Sequence, residues 1–219
     1  CVVAHIDHVQ RRDGRFTMRK SESTEFVYGG YVATSNPNYF ERSNLGSDSK
    51  NGIWCALKLL ESEEVLKCVF FVQSRIGFVG AHHCDMRFFD DVRFVLQADN
   101  SGGSSVAIRM KYCDLTSEQF LYDADPEKFD YNVRVGLVSD IHELYLRGLS
   151  VASCNISNGS HHPESVMEYC NLVELRKCLR FMEHIVRDCT RVYVIENKSP
   201  REYPEEINDE LCLLNNVEF

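Results

Sequence analysis

The chain has 219 residues, 44% of them hydrophobic, which is enough to bury the core of one domain. Its 24 basic and 33 acidic side chains give a formal net charge of −9. That charge repels phosphate and argues against a nucleic-acid partner. No apolar run reaches the roughly 18 residues that a membrane span needs. The chain begins with Cys1 and shows no signal peptide, which indicates a processed or trimmed chain preceded by either a signal peptide or another domain.

Runs that alternate between apolar and polar residues predict strands along most of the chain. Stretches rich in Asn, Ser, Gly and Pro, or in acidic residues, separate these runs and predict loops. The predicted strands cover residues 2–9, 25–34, 53–60, 66–72, 92–97, 106–112, 129–137, 144–156 and 190–195. The predicted loops cover residues 11–23, 35–52, 114–127 and 157–163. An apolar segment at 211–214 is expected to dock near the end of the chain.

One helix is predicted, over about residues 165–189. Six apolar residues follow one another at spacings of three and four, which places them on one face of a helix. They are Leu172, Leu175, Leu179, Met182, Val186 and Cys189. Asn171 followed by Glu174 has the form of a capping box. The fold expected is therefore mostly β (α+β): a single domain over 1–219, an antiparallel β-sandwich with one main amphipathic helix packed on it.

Cysteines and sequons point to the secretory pathway. The ten cysteines are dispersed and include no CxxC pair, which argues against a zinc finger and suits either long-range disulfides or buried thiols. Asn155, Asn158 and Asn197 each begin an N-x-Ser sequon and are candidate glycosylation sites. Together these features favour a disulfide-bonded glycoprotein in an oxidising compartment.

Recognised catalytic motifs are absent, so no catalytic residue and no cofactor is assigned. The most metal-like cluster is His82, His83, Cys84 and Asp85. Adjacent histidines on a strand point to opposite faces, so no metal site is predicted there. A cysteine beside a histidine could form a thiol nucleophile, which leaves a cysteine hydrolase as one alternative.

Protein–protein contact is the function that these residues favour. Arg75 and Phe78 lie in a probable glycine-containing loop, and exposed Arg and Phe are common at interface hot spots. His82 and His83 follow, and a second doublet stands at His161 and His162. Histidine titrates near physiological pH, so partner binding could depend on compartment pH. Arg75, Phe78, His82 and His83 are the candidate partner-binding residues.

Two segments resemble the secreted poxvirus immune-evasion β-sandwich family, which includes chemokine-binding proteins and the protein that retains MHC class I. One is Phe181 to Val192, a helix that ends in an acidic residue and a cysteine before a strand. The other is Gly52-Ile53, which opens an apolar run before the acidic turn at 61–64. The resemblance implies a non-enzymatic protein of the ER lumen, or a secreted one, that binds MHC class I or a chemokine. The alternatives are a cytoplasmic β-rich interaction domain of a regulatory complex, with reduced cysteines, and the cysteine hydrolase.

Overall fold

The computed structural model describes residues 1–7, 15–33, 36–63, 66–110 and 113–195. Within these ranges eleven strands form one mixed sheet. The strands are β1 (Val2–His5), β2 (Arg15–Lys20), β3 (Phe26–Ala33), β4 (Asn36–Ser43), β5 (Cys68–Phe71), β6 (Val95–Ser101), β7 (Ser105–Met110), β8 (Cys113–Asp114), β9 (Asn132–Gly136), β10 (Ser153–His161) and β11 (Tyr169–Asn171). The helices are α1 (Ser47–Ser62), α2 (Val79–His83), α3 (Glu118–Ala124), α4 (Asp140–Leu146) and α5 (Leu172–Asp188). The segment 211–214 lies outside the described residues.

The centre of the sheet is parallel. Strands β5, β1, β6 and β10 are neighbours in that order and run in the same direction. Parallel neighbours need a crossover connection, usually with a helix, and α1, α2 and α4 lie in the segments that link these strands. The predicted antiparallel sandwich with one helix is therefore wrong. The sequence pattern located most strands but underestimated the helices between them. It also predicted loops where the structure has β2, β4 and α3.

Antiparallel pairing occurs on the β10 side of this parallel centre, whereas β5 forms the opposite edge of the sheet. Strand β10 pairs with β11, and the sheet continues through β3 to β2 and β4. Strand β7 pairs with β10 and β8 in antiparallel fashion and with β9 in parallel. Strand β9 lies within the predicted strand 129–137, but Val133 and Val135 are exposed. Of the predicted strand 190–195, Val194 alone makes a bridge, to Val151.

The segment 53–60, predicted to be a strand, lies in α1. Cys55, Ala56 and Leu59 are buried at helical spacing and face the sheet, whereas Leu57 is 48% exposed. Helix α1 packs on β1, β6 and β10. A short run of alternating apolar residues fits either structure, so periodicity over eight residues does not separate a strand from a helix.

The structure places the main helix, α5, at Leu172–Asp188, so residues from 165 to 171 precede it. Asn171 is its N-cap, and the side-chain oxygen accepts hydrogen bonds from the N–H groups of Val173 and Glu174 at 3.0 and 3.4 Å. The buried face is wider than the predicted stripe and also includes Cys178, Phe181 and Ile185. Helix α5 packs on β10 and contacts α1.

Two predictions in the region of β10 are wrong. Residues 144–152 contain the end of α4 and a turn. The observed strand, β10, therefore begins at Ser153, later than the predicted strand 144–156. The predicted exposed loop 157–163 is instead mostly the second half of β10, where Ser157, Asn158 and Ser160 are fully buried. Polar residues normally indicate a loop, but here they serve buried hydrogen bonds beside a bulge in the β6–β10 ladder.

All nine cysteines in the described residues are free thiols, so the predicted disulfides are wrong there. Burial raises the pKa of Cys68 and of Cys170 to about 11, which keeps both thiols protonated at neutral pH. Cys212 lies outside the described residues. None of the described helices combines the length and apolar character that a bilayer crossing requires.

Replacing Gly52 with Ala should destabilise the fold. A Cβ atom there would lie 2.6 Å from the backbone oxygen of Ala98 in β6, so α1 would have to move away from the sheet. We expect the free energy of unfolding to fall by about 1 to 3 kcal/mol, because overpacking outweighs the gain in helix propensity. Urea denaturation measures the change. Ser62→Ala, in the exposed last turn of the same helix, is the control. Equal stability of Gly52→Ala and the wild type would contradict this packing.

Candidate functional site

A cluster of polar and charged side chains lies where the central parallel strands end. Strand β1 ends at His5, β5 leads into Ser74 and Arg75, and Asp99 lies near the end of β6. Open α/β sheets bind their ligands at the carboxyl ends of parallel strands. This arrangement, called the strand-end cluster below, consists of His5, Asp7, Asp48, Ser74, Arg75, Gln97, Asp99, Asp140 and Glu164.

His5 is a buried cation. Its side chain is 4% exposed, with Nε2 3.1 Å from Asp99 Oδ1 and Nδ1 3.4 Å from Asp7 Oδ1. Burial lowers the pKa of His5, but the hydrogen bond to Asp99 and the charges of Asp99, Asp140 and Asp7 outweigh it and raise that pKa to about 9. The imidazole is therefore protonated at neutral pH and holds the two carboxylates together.

Asp140, the first residue of α4, is 1% exposed. Its carboxyl group accepts hydrogen bonds from Ser74 Oγ at 2.7 Å and from Gln97 Nε2 at 3.0 Å. Gln97 also accepts the N–H of Ile141 through Oε1, at 3.3 Å. Burial raises the pKa of Asp140 to about 6. These contacts fix α4 against β6 and the turn after β5, so the buried Asp140 and Ser74 position the cluster rather than meet a ligand.

The turn after β5 is held by Asp7 in a strained conformation. Asp7 accepts the N–H groups of Ser74 and Arg75 at 3.2 and 3.1 Å. Burial raises the pKa of Asp7, but these two backbone hydrogen bonds and the charge of His5 lower it overall. Gln73 and Phe78 have φ of +59° and +54°, in the left-handed region that residues other than glycine rarely adopt. Such strain concentrates at functional sites.

Arg75, Asp48 and Glu164 form a second part of the cluster, beside the part around His5. The Arg75 guanidinium pairs with Asp48 through Nη2 and with Glu164 through Nη1. Asp48 lies in the first turn of α1, and Glu164 lies between β10 and β11. The side chains of Arg75 and Asp48 are 21% and 10% exposed, so this ion pair is largely shielded from solvent.

Glu168 holds the start of α1 against the sheet. The residue is fully buried, and its carboxylate accepts the N–H groups of Leu45 and Ser47, at 2.8 and 2.6 Å, and the Ser47 hydroxyl at 2.7 Å. A carboxylate at a helix N-terminus satisfies free N–H groups and complements the positive end of the helix dipole. Gly46, with φ of +68°, allows the sharp turn into the helix. Glu168 thereby places Asp48 beside Arg75.

Two of the predicted glycosylation sites lie inside the fold. Asn155 and Asn158 are 2% and 0% exposed. Asn158 Nδ2 donates to the backbone oxygens of Asp48 and Ala98 at 2.7 and 2.8 Å, and Asn155 Oδ1 accepts the N–H of Asp99 at 3.0 Å. Neither side chain is exposed for a glycan, and both support the strand-end cluster. The third candidate, Asn197, lies outside the described residues.

The four predicted partner-binding residues are close in sequence, but only Arg75 enters the cluster. Phe78 packs partly buried against the core. His82 and His83 are in α2, and both are exposed. His82 Nδ1 lies 2.7 Å from Glu143 Oε1. A partner-binding role for the four stays a prediction.

Sequence reasoning missed most of the cluster, above all His5, Asp7, Asp48, Asp99 and Asp140. The available signal was a polar residue at the end of each apolar run, as in Ala4-His5-Ile6-Asp7 and Ala98-Asp99. That signal has meaning only if the runs are parallel, because carboxyl ends then share one edge.

A resident divalent metal does not fit the cluster as it stands. Among the described residues, no group of three or more His, Cys, Asp or Glu side chains is arranged so that it could hold a metal ion. Asp48 Oδ2 is paired with Arg75, and His5 Nε2 is paired with Asp99 Oδ1. The positive charges next to these carboxylates come from the protein itself.

No protein-family profile and no curated protein matches the chain in sequence. Solved structures match its fold. The aminopeptidase PepT of Bacillus cereus has a TM-score of 0.66 at 10% identity, over 87% of this chain and 80% of that one. A tripeptidase of Staphylococcus aureus has a TM-score of 0.60 at 10% identity, over 85% and 79%. An aminopeptidase of the archaeon Desulfurococcus kamchatkensis has a TM-score of 0.56 at 16% identity, over 87% and 79%. At these identities the likeness establishes the fold.

The resemblance to the poxvirus immune-evasion β-sandwiches is wrong, because the chain has the fold of these peptidase structures. The interpretation as a secreted, non-enzymatic binder of MHC class I or of a chemokine depended on that resemblance and is wrong with it. The segments that suggested the resemblance belong to α1 and to the end of α5. Both helices pack on a sheet whose central strands are parallel. Similar helix ends occur in unrelated folds, so the shared pattern had little weight.

The His5–Asp99 pair should make stability depend on pH. A raised folded-state pKa stabilises the protein fully below the unfolded value of 6.5, and this stabilisation is lost as pH rises through about 9. The wild type should therefore lose up to about 3 kcal/mol across that window, since one unit of pKa shift is worth about 1.4 kcal/mol. Asp99→Asn should cost most near pH 6 and least above pH 9, as measured by urea denaturation. Asp85→Asn, at an exposed carboxylate, is the control. A cost of Asp99→Asn that is constant with pH would contradict this pairing.

Glu168→Gln should destabilise the start of α1. The amide keeps one acceptor oxygen, but its NH2 group is a donor that faces either the N–H group of Leu45 or that of Ser47, which loses its acceptor. We expect a loss of about 1 to 3 kcal/mol, the cost of leaving buried polar groups unsatisfied. Chemical denaturation measures it, with Glu22→Gln at an exposed position as the control for loss of charge. A Glu168→Gln protein as stable as the control would show that the carboxylate does not cap α1.

Proposed function

We propose that this chain is a peptide hydrolase that acts at the amino end of short peptides, with the strand-end cluster as its site. The fold carries this proposal: it is shared with aminopeptidase and tripeptidase structures over at least 85% of the chain. The cluster lies at the edge of the sheet where open α/β folds bind ligands. Among the alternatives derived from the sequence, a hydrolase suits this fold best.

The charge of the cluster supports an ammonium group as the recognised part of the substrate. Carboxylates outnumber cations in it, since only His5 and Arg75 carry positive charge. Asp7 and Asp99 keep side-chain exposures of 25% and 19%, so both can be reached from solvent. A peptide amino terminus would gain charge-assisted hydrogen bonds from these oxygens. A free carboxylate would be repelled by them.

Hydrolysis adds the hydroxide part of a water molecule to the carbonyl carbon and one proton to the leaving amine. Asp99 can accept the proton that water gives up and pass it to the amine. The Arg75 guanidinium can donate hydrogen bonds to the carbonyl oxygen, where negative charge develops in the transition state. The buried residues Ser74, Gln97 and Asp140 position Asp99 and Arg75. Cysteine takes no part in this scheme. Burial raises the pKa of the Cys84 thiol, which follows His82 and His83 in sequence, and this disfavours the thiolate that a cysteine hydrolase needs at that place.

The free thiols favour a reducing compartment for this activity. All nine cysteines in the described residues are free thiols, and most of them are buried. Disulfides are rare in the cytosol, where thiols are kept reduced. A cytoplasmic location is therefore part of the proposal.

Release of the N-terminal residue from tripeptides tests the proposal. The wild type should cleave a free tripeptide and should cleave its N-acetylated form far more slowly, because acetylation removes the ammonium charge. Asp99→Asn should lower kcat by about a hundredfold, the usual contribution of a general base. Asp85→Asn, on an exposed turn, should leave the rate unchanged. Released amino acid is measured by chromatography.

Three results would contradict this function. One is the absence of turnover in the wild type, including tripeptide binding without cleavage. Another is preference for the acetylated peptide, which would remove the ammonium group as the recognised feature. The third is an unchanged rate in Asp99→Asn, which would place the reaction elsewhere in the chain.

A further inference from the structure

Two carboxylates from distant segments converge on one guanidinium. Asp48 comes from the first turn of α1, and Glu164 comes from the connection between β10 and β11. Nη2 of Arg75 contacts Asp48, and Nη1 contacts Glu164. The two nitrogen atoms of one planar group thus join segments that are more than a hundred residues apart in sequence.

The Asp48 side chain is 10% exposed and that of Glu164 is 53% exposed. Two carboxylates that meet with one of them largely buried are stabilised by a positive charge between them. In proteins that charge is supplied either by a bound metal ion or by a basic side chain. Oxygen-rich carboxylate sites are the ones that hard divalent cations such as Mg²⁺, Mn²⁺ and Ca²⁺ prefer. Here Arg75 already supplies the charge, and its flat fork can bind two acceptors at once.

The backbone fixes Arg75 in this position. Asp7 accepts the N–H of Arg75 at 3.1 Å and the N–H of Ser74 at 3.2 Å. The left-handed conformations of Gln73 and Phe78 turn the chain sharply on either side. Ser74 is held from below by Asp140. The position of the guanidinium beside Asp48 is therefore set by a turn that Asp7 and Asp140 hold in place.

We infer that the Arg75 guanidinium is the resident cation of the strand-end cluster and that it excludes a divalent metal ion from this place. Asp48 Oδ1 is buried and has no hydrogen-bond partner among the described residues. Once the guanidinium is gone, both oxygens of Asp48 and the carboxylate of Glu164 become available to a metal ion. The inference goes beyond peptide hydrolysis and does not depend on it.

Titration with MnCl₂ tests the inference without any measurement of activity. Isothermal calorimetry and differential scanning fluorimetry are run on the wild type, on Arg75→Met and on the control Arg87→Met. Arg87 is also paired with an aspartate, Asp85, but on an exposed turn away from the cluster. All three proteins are first treated with EDTA and desalted.

The wild type and Arg87→Met should show no stoichiometric Mn²⁺ binding at up to 1 mM and no shift in Tm. Arg75→Met should have a lower Tm in EDTA. Saturating Mn²⁺ at about a hundred times Kd should then raise the Tm of Arg75→Met by several degrees.

Uptake of one equivalent of Mn²⁺ by the wild type would overturn the inference, and this result does not depend on any variant folding. Failure of a folded Arg75→Met to bind Mn²⁺ would overturn it as well, because something other than Arg75 would then exclude the ion. If Arg75→Met does not fold, Arg75→Lys replaces it. The lysine variant keeps a cation and should also exclude Mn²⁺, so stoichiometric binding of Mn²⁺ by it would overturn the inference.

Discussion

Negative charge buried at the ends of the central strands is the constraint on which the rest of this structure depends. Asp48, Asp140 and Glu168 are each less than 10% exposed. A buried carboxyl group is costly unless donors or a cation meet it. Asp140 accepts hydrogen bonds from Ser74 and Gln97, Glu168 accepts them from Leu45 and Ser47 at the start of α1, and Asp48 pairs with Arg75. The contacts that satisfy these three carboxyl groups place α1, α4 and the turn after β5 at one edge of the sheet.

The two halves of the cluster are joined through neighbouring residues of one turn. Ser74 donates its hydroxyl to Asp140, while the next residue, Arg75, reaches Asp48 and Glu164. Asp7 binds the backbone of both. The Ser74–Arg75 turn therefore contacts both the His5 side and the Arg75 side of the cluster. This connection lets buried residues set the positions of the exposed ones, as a preorganised site requires.

The sequence predicted those parts of the fold that depend on local pattern. The face of α5 and its Asn171 cap were readable because seventeen residues repeat a helical period. The segment 53–60 was not, since eight residues fit a strand as well as α1 does. The second half of β10 was taken for a loop because the hydrogen bonds of Asn158 to Asp48 and Ala98 join distant segments. Such long-range pairing leaves no local trace.

The site was less predictable than the fold for the same reason. His5, Asp99 and Asp140 are 41 or more residues apart in sequence and meet only because β1 and β6 are parallel. Arg75 was selected as a candidate for contact with another protein, a role that stays a prediction, and its contacts with Asp48 and Glu164 were not foreseen. An exposed interface residue and a buried ion-pair partner can share the same sequence surroundings. Direction of the strands, which the sequence pattern did not give, was the missing information.

A crystal structure of the wild type grown in the presence of Mn²⁺, with an anomalous-scattering map, tests this account most directly. We expect electron density for the Arg75 guanidinium between Asp48 and Glu164, and no anomalous peak within the strand-end cluster. An anomalous peak coordinated by Asp48, with the Arg75 side chain turned away from it, would contradict the account.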